Sequence, residues 1–117
     1  MNFKEANMRY LMDLSGGEPS IIREMVQLFV IQTPGHLEQL AGFIENRDWE
    51  NIRSMAHHIK PTLSYMGAED MRIVLQKIER MAEEKRDYEQ VVSEFSLLRQ
   101  RFQVLFEELG AYLATLK

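Results

Sequence analysis

The feature of this 117-residue sequence that most constrains its fold is a run of apolar residues near the C-terminus, spaced alternately by three and four positions. The run consists of Phe95, Leu98, Phe102, Leu105, Leu109, Tyr112 and Leu116. This spacing places every member on one face of an α-helix and is typical of a helix packed lengthwise against its neighbours. Gly110 interrupts the run at a cost of about 1 kcal/mol relative to alanine. We therefore expect a bundle of long helices.

The first half of the chain predicts two more helices. With only six Gly and three Pro, the chain has few helix breakers. Residues 4–14 predict a short helix whose inward side chains are Ala6, Tyr10, Leu11 and Leu14. A second helix is predicted from Pro19, a favoured first-turn residue, to about Asn46, with a kink or restart at Pro34. Its predicted inward side chains are Ile21, Ile22, Met25, Leu28, Phe29 and Gln32, followed by Leu37, Leu40, Ala41 and Ile44.

Two further helices are predicted between residues 48 and 85. Asp48 is a candidate cap for a helix with the inward residues Ile52, Met55, Ala56, Ile59, Leu63 and Met66. After Gly67, Asp70 is a candidate cap for a helix with the inward residues Ile73, Val74, Lys77, Ile78 and Met81. The expected fold is all-α, an antiparallel four-helix bundle with a short extra N-terminal helix, with residues 1–117 as a single domain.

Composition and charge exclude several classes of protein. Hydrophobic residues make up 45% of the chain and charged residues 27%, which favours a folded domain over disorder. The net charge of −4 and the lack of a basic run argue against nucleic-acid or anionic-lipid partners. Without cysteine, disulfides, thiolate metal sites and Cys nucleophiles are impossible. No membrane span or secretion signal is evident, so we expect a cytoplasmic protein. We also expect a monomer.

The helix that follows Asp48 contains two consecutive histidines, His57 and His58. At about 100° per residue, His57 falls about 140° from the centre of the apolar stripe, on the same side as Lys60 and Ser64. His58 falls on the opposite flank, so the two rings are poorly placed to chelate one metal ion. The remaining histidine, His36, shows no spacing that suggests a ligand.

The surroundings of His57 suit a group delivered by another macromolecule. Lys60, one turn away, is a cation within reach of anything attached to the imidazole, and Ser64, Gly67 and Ala68 project little from the surface. A phosphoryl group on the ring would bring nearly two negative charges, which a lysine can partly offset.

These residues resemble the histidine-containing phosphotransfer (HPt) domains of two-component phosphorelays. The usual HPt signature reads Ala-His-x-Leu-Lys-Gly, followed by small residues and a Gly-Ala pair. Residues 56–61 (Ala-His-His-Ile-Lys-Pro) and residues 67–68 (Gly-Ala) match it at the same spacing. The departure is Pro61, where the family most often has Gly. Because proline lacks an amide donor for the carbonyl of His57, we expect a small local kink.

The resemblance implies a role for each residue of the motif. His57 would be the phosphoacceptor, reacting through Nε2, with Lys60 stabilising the charge. Gly67 would permit close approach of the partner and, together with Ser64, form a docking surface. The implied function is the relay of a phosphoryl group between aspartates of response-regulator receiver domains. The implied partners are such a receiver domain, a hybrid sensor histidine kinase, or both.

The chain is expected to be a phosphocarrier rather than an enzyme. No Gly-rich loop that could hold ATP phosphates is present, so autonomous kinase activity is not expected. The resemblance implies no cofactor of the chain's own and places Mg²⁺ on the partner receiver domain. Two alternatives remain open at this point. One is an HPt-like scaffold that sequesters a receiver without being phosphorylated, and the other is a coiled-coil adaptor that dimerises through residues 91–116.

Overall fold

Five α-helices make up most of the chain in the computed structural model, which describes residues 3–116 apart from the side chains of Met8 and Leu14. The helices are α1 at Met8–Leu14, α2 at Pro19–Glu45, α3 at Trp49–Tyr65, α4 at Glu69–Glu84 and α5 at Tyr88–Thr115. The described residues contain no β-strand. The predicted all-α class is therefore confirmed.

Helices α2 to α5 form an antiparallel four-helix bundle. Each of them packs against the next, and α5 completes the ring by packing against α2. The connections comprise only residues 46–48, 66–68 and 85–87, and such short connections force neighbouring helices to run in opposite directions. The bundle is elongated, with extents of 45 × 21 × 21 Å. The short helix α1 is the extra N-terminal helix that the sequence predicts, and it lies outside the ring against α3.

The apolar run at the C-terminus lies in the core of the bundle. Phe95, Leu98, Phe102, Leu105 and Leu109 are all buried, and Tyr112 and Leu116 are partly buried against the same core. Because the run is covered by the chain's own helices, it is not free to pair with a second copy, which removes the basis for a coiled-coil adaptor. In the part of the chain that the structure describes, no helix combines the length and hydrophobicity needed to cross a membrane.

The inward faces of α2 and α4 are turned from their predicted orientations. In α2 the buried residues are Ile22, Val26, Phe29, Thr33, Leu37, Leu40 and Ile44. Three residues predicted to point inward, Ile21, Leu28 and Gln32, are instead exposed. The helical repeat fixes the spacing of a buried stripe but not its centre when apolar side chains flank it on both sides. The helix also continues through Pro34, so of the two predicted alternatives the restart is wrong and the kink stays a prediction.

Helix α4 differs from the prediction in its cap as well as in its inward face. The N-cap position is held by Ala68, and Asp70 lies within the first turn, where its charge complements the helix dipole. Ile73 and Lys77 were predicted to point inward but are exposed. The buried residues are Met71, Leu75, Ile78, Met81 and Ala82.

The described residues before Met8 do not form a helix. Asn7 caps α1 by accepting a hydrogen bond from the amide of Tyr10, whose side chain is exposed and not inward as predicted. The amides of Glu5 and Ala6 donate to the Glu108 carboxylate at 2.9 and 3.1 Å, which fastens this segment to α5. A helix beginning at residue 4 would leave these first-turn amides without an intrahelical acceptor, whereas here the Glu108 carboxylate satisfies them. The predicted inward position of Leu14 lies outside the described residues.

Candidate functional site

His57 lies in the middle of α3, on the face turned away from the core. Asp48 begins the helix by accepting a hydrogen bond from the amide of Asn51, which confirms the predicted cap. The residues that hold α3 against the bundle are Ile52, Ala56, Ile59 and Leu63. Because each residue advances about 100° around a helix, this register turns His57 outward, and its side chain is 66% exposed.

A carboxylate on the neighbouring helix connects the two charged groups of the site. Glu79, on α4, places Oε2 3.0 Å from Nδ1 of His57 and Oε1 2.8 Å from Nζ of Lys60. The side chains of Glu79 and Lys60 are only 17% and 20% exposed. Sequence reasoning did not identify Glu79, because its partners lie on a different helix, and His57 is 22 positions away along the chain.

Glu79 is held in its ionised form. Burial raises the pKa of the Glu79 carboxyl, but hydrogen bonding and positive charge from Lys60 and His57 outweigh this effect and leave the pKa below its ordinary value. Oε1 is buried, and Nζ of Lys60, 2.8 Å away, is the cation that compensates its charge. An ammonium has three donors, so Lys60 keeps others for a further acceptor.

The contact with Glu79 determines which nitrogen of His57 carries the proton. An ionised carboxylate can only accept hydrogen bonds, so Nδ1 must be the donor in the 3.0 Å contact with Oε2. In a neutral imidazole the other ring nitrogen is then unprotonated and has a free lone pair. The structure thus orients His57 with a nucleophilic Nε2.

Ser64 and Gly67 continue the surface beyond Lys60. Lys60, Ser64 and Gly67 line one shallow cleft, whose other side is formed by Asn7 and Tyr10 from the N-terminal segment. Gly67 has a φ of +70°, and a side-chain carbon there would collide with Asn7. The protein's own N-terminal segment therefore already requires glycine at position 67, whatever a partner requires.

Pro61 is accommodated inside α3 without ending the helix. It lies on the exposed side, and α3 continues to Tyr65. Because proline has no amide hydrogen, the carbonyl of His57 lacks its usual helical donor. This free acceptor adds a further polar atom to the surface around His57.

His58 faces a different neighbour from His57. Its ring packs edge-on against the ring of His36 on α2, with 4.9 Å between the ring centroids and an interplanar angle of 82°. Both rings border an apolar cleft that also includes Tyr65 and Met66. Burial, followed by the charge of His58, lowers the pKa of His36. The two consecutive histidines thus lie on opposite flanks of α3, as the helical spacing predicts.

Comparisons with known proteins match the chain over most of its length. The model of the family described as "Hpt domain" matches residues 24–117. Among curated proteins, the chain is 27% identical over 109 residues to the phosphorelay intermediate protein rdeA of Dictyostelium discoideum, covering 93% of this chain and 42% of that protein. The chain therefore spans less than half the length of this relative.

A solved structure shares the fold. It is the crystal structure of histidine-containing phosphotransfer protein B (HptB) from Pseudomonas aeruginosa PAO1, which matches with a TM-score of 0.65 at 21% identity. The alignment covers 92% of this chain and 98% of that one. The family model covers most of α2 and all of α3 to α5, including His57, Lys60 and Glu79. The chain therefore belongs to the Hpt domain family.

Proposed function

We propose that this protein relays a phosphoryl group between aspartates of receiver domains through His57. The observation that carries the proposal is the orientation of one exposed imidazole: Glu79 holds its Nδ1, so the unprotonated Nε2 is the free ring nitrogen, beside Lys60. Membership of the Hpt domain family supports this assignment. The description of rdeA as a phosphorelay intermediate supports the same role for this chain.

The transfer step follows from the protonation state of the ring. The Nε2 lone pair attacks the phosphorus of an aspartyl phosphate, an N–P bond forms, and the P–O bond to the aspartate breaks with release of its carboxylate. The imidazole becomes cationic, and its Nδ1 proton stays directed at the Glu79 carboxylate, which stabilises the new positive charge. The reverse step returns the phosphoryl group to a second aspartate.

Lys60 and Glu79 have complementary electrostatic roles in this step. Lys60 lies one helical turn from His57 and offsets the negative charge of the transferred group. Glu79 offsets the positive charge that develops on the ring.

The proposed partners supply what the chain lacks. A receiver domain, or a hybrid sensor kinase that contains one, would bring the aspartate and its Mg²⁺, so this chain needs no cofactor and acts as a carrier without kinase activity of its own. Docking would use the cleft bordered by Ser64 and Gly67, next to the phosphoacceptor. A small interface of the transient class suits a protein that must release each partner quickly. We expect a monomer in the cytoplasm.

The test separates the chemistry of His57 from the choice of partner. The purified chain is incubated with labelled phosphoramidate, which phosphorylates histidine directly, and in parallel with a phosphorylated receiver domain and Mg²⁺. We expect acid-labile, base-stable label in both experiments. The matched variants are His57→Gln and His58→Gln, which remove adjacent rings from opposite flanks of α3.

The two variants are expected to give opposite results. Label should disappear with His57→Gln and persist with His58→Gln, while circular dichroism shows unchanged helix content in both. Label that is lost with His58→Gln instead contradicts the assignment of the phosphoacceptor. Binding of a receiver without label from either donor favours the alternative of a non-phosphorylated scaffold.

A further inference from the structure

The rings of His36 and His58 pack against each other at a spacing that suits a shared metal ion. We propose that His36 and His58 bind one divalent transition-metal ion, such as Zn²⁺, between α2 and α3. This site lies on the flank of α3 opposite Glu79 and Lys60. It does not depend on the phosphotransfer function proposed above.

The distance between the two rings is the first argument. A zinc ion lies about 2.0–2.1 Å from a histidine nitrogen, which places it about 3.2 Å from the ring centre. Two such ligands separated by 90–110° at the metal have ring centres about 4.5–5.2 Å apart. The centroids of His36 and His58 are 4.9 Å apart, within this range. The helices therefore need not move for the two rings to share one ion, although the edge-on rings must turn about their side-chain bonds to direct a nitrogen at it.

The availability of both imidazoles is the second argument. Among the ion pairs of the described residues, the only histidine with an acidic partner is His57. His36 and His58 form no such pair, so their nitrogens are not already committed to a carboxylate.

The surroundings determine which ions suit the site. Within the described residues, no group of three or more His, Asp or Glu side chains is arranged to hold a metal ion. The protein would therefore supply two nitrogens, and water would complete the coordination from the clefts on either side of the pair. Imidazole nitrogen favours Zn²⁺, Ni²⁺ and Cu²⁺, whereas Mg²⁺ and Ca²⁺ require oxygen ligands.

Zinc titration of the full chain tests the proposal. The protein is dialysed against a chelator, and Zn²⁺ is then added in a calorimeter, with Mg²⁺ as the comparison ion. We expect one Zn²⁺ per chain and no corresponding heat from Mg²⁺. Mutation of a residue that hydrogen-bonds to a metal ligand typically weakens metal binding about 10–100-fold. Removal of a ligand itself should have at least this effect, so His36→Gln and His58→Gln should each raise the Kd for Zn²⁺ at least about tenfold. The matched control, His57→Gln, should leave it unchanged.

Thermal unfolding provides a second measurement. An ion that binds only the folded chain raises its Tm, so Zn²⁺ should raise the Tm of the wild type and of His57→Gln but not that of His36→Gln or His58→Gln. Absence of a Zn²⁺-dependent heat and Tm shift in the wild type overturns the proposal. It is equally overturned when His57→Gln weakens binding as much as His58→Gln, because the ion then lies at the Glu79 site.

Discussion

His57 and His58 are consecutive residues, yet they belong to different contacts of the bundle. His57 faces α4 and meets the Glu79 carboxylate, whereas His58 faces α2 and meets the ring of His36. The rotation of about 100° per helical residue is enough to separate them. A carboxylate fixes the proton on Nδ1 of His57, while an imidazole neighbour imposes no such choice on His58. The chemistry of each ring is thus determined by the neighbouring helix rather than by the local sequence.

The largest expected effect on phosphoryl transfer is that of Lys60, which lies on the same flank of α3 as His57 and not on the flank of His58. Lys60→Gln removes the cation beside the transferred phosphoryl group, and loss of one such electrostatic contact typically slows a reaction about 100-fold. We therefore expect phosphoryl transfer from a receiver to slow by about this factor, as measured by rapid-quench kinetics. The matched control is Lys85→Gln, which removes the same charge at the C-cap of α4, where Lys85 makes no contact with His57 or Glu79 in the described ion pairs. Equal slowing by both variants would show that only the overall charge matters.

A smaller effect is expected for Glu79, which positions His57 rather than contacting the phosphoryl group. Glu79→Ala removes the acceptor at Nδ1, and a misplaced nucleophile should slow transfer about tenfold. Glu79→Gln retains an acceptor oxygen but loses the negative charge, so it should restore the position of the ring and only part of the rate. Nitrogen NMR of the imidazole should show the Nδ1–H tautomer in the wild type and in Glu79→Gln, and a mixture in Glu79→Ala. Unchanged tautomers in Glu79→Ala would refute the positioning role.

The role of Glu79 also marks the limit of what the sequence could predict. The 3-4-3-4 run in α5, the cap at Asp48 and the outward face of His57 all depend on neighbours within one helix, and all are confirmed. Glu79 depends on how α4 rotates against α3. The sequence placed Lys77 on the inner side of α4, whereas the structure exposes Lys77 and partly buries Glu79. A charged residue at the edge of an apolar stripe indicates a position that is partly buried. Because burial of a charge requires a partner, such a residue is a candidate for pairing with a group on a neighbouring helix.

Gly67 is a second residue whose contacts could not be predicted from the sequence. The sequence predicts that the small residue leaves room for a partner, and that role remains a prediction. The structure shows that Asn7, 60 positions earlier in the chain, lies against Gly67 and donates its amide hydrogen to the carbonyl of Met66. Contacts between distant segments depend on the folded arrangement, and helical periodicity contains no information about them.

The two flanks of α3 should also lose their contribution to stability in different pH ranges. The pKa of Glu79 is lowered in the folded chain, so below about pH 4.5 the unfolded chain binds more protons and stability decreases as pH falls. At pH 7, Glu79→Gln should lower the free energy of unfolding by up to about 1 kcal/mol. Urea unfolding should show that the difference in free energy of unfolding between the wild type and Glu79→Gln becomes smaller as the pH falls through the acid range. A difference that stays constant would mean that the carboxylate makes no stabilising contact in the folded state.

The smallest effect is expected on the opposite flank, where the pKa of His36 is lowered by burial and by His58. The uncharged ring is favoured in the folded chain, so its contribution is complete above the unfolded pKa of 6.5 and is lost as pH falls through the lower folded value. With a chelator present to exclude metal ions, the wild type should lose more stability than His36→Gln between about pH 7.5 and 5.5. Glu79→Gln should lose stability in parallel with the wild type in this range, because the Glu79 carboxyl that the variant lacks titrates only at lower pH. If the free energies of unfolding of His36→Gln and the wild type instead change in parallel with pH, the ring of His36 makes no pH-dependent contribution to stability.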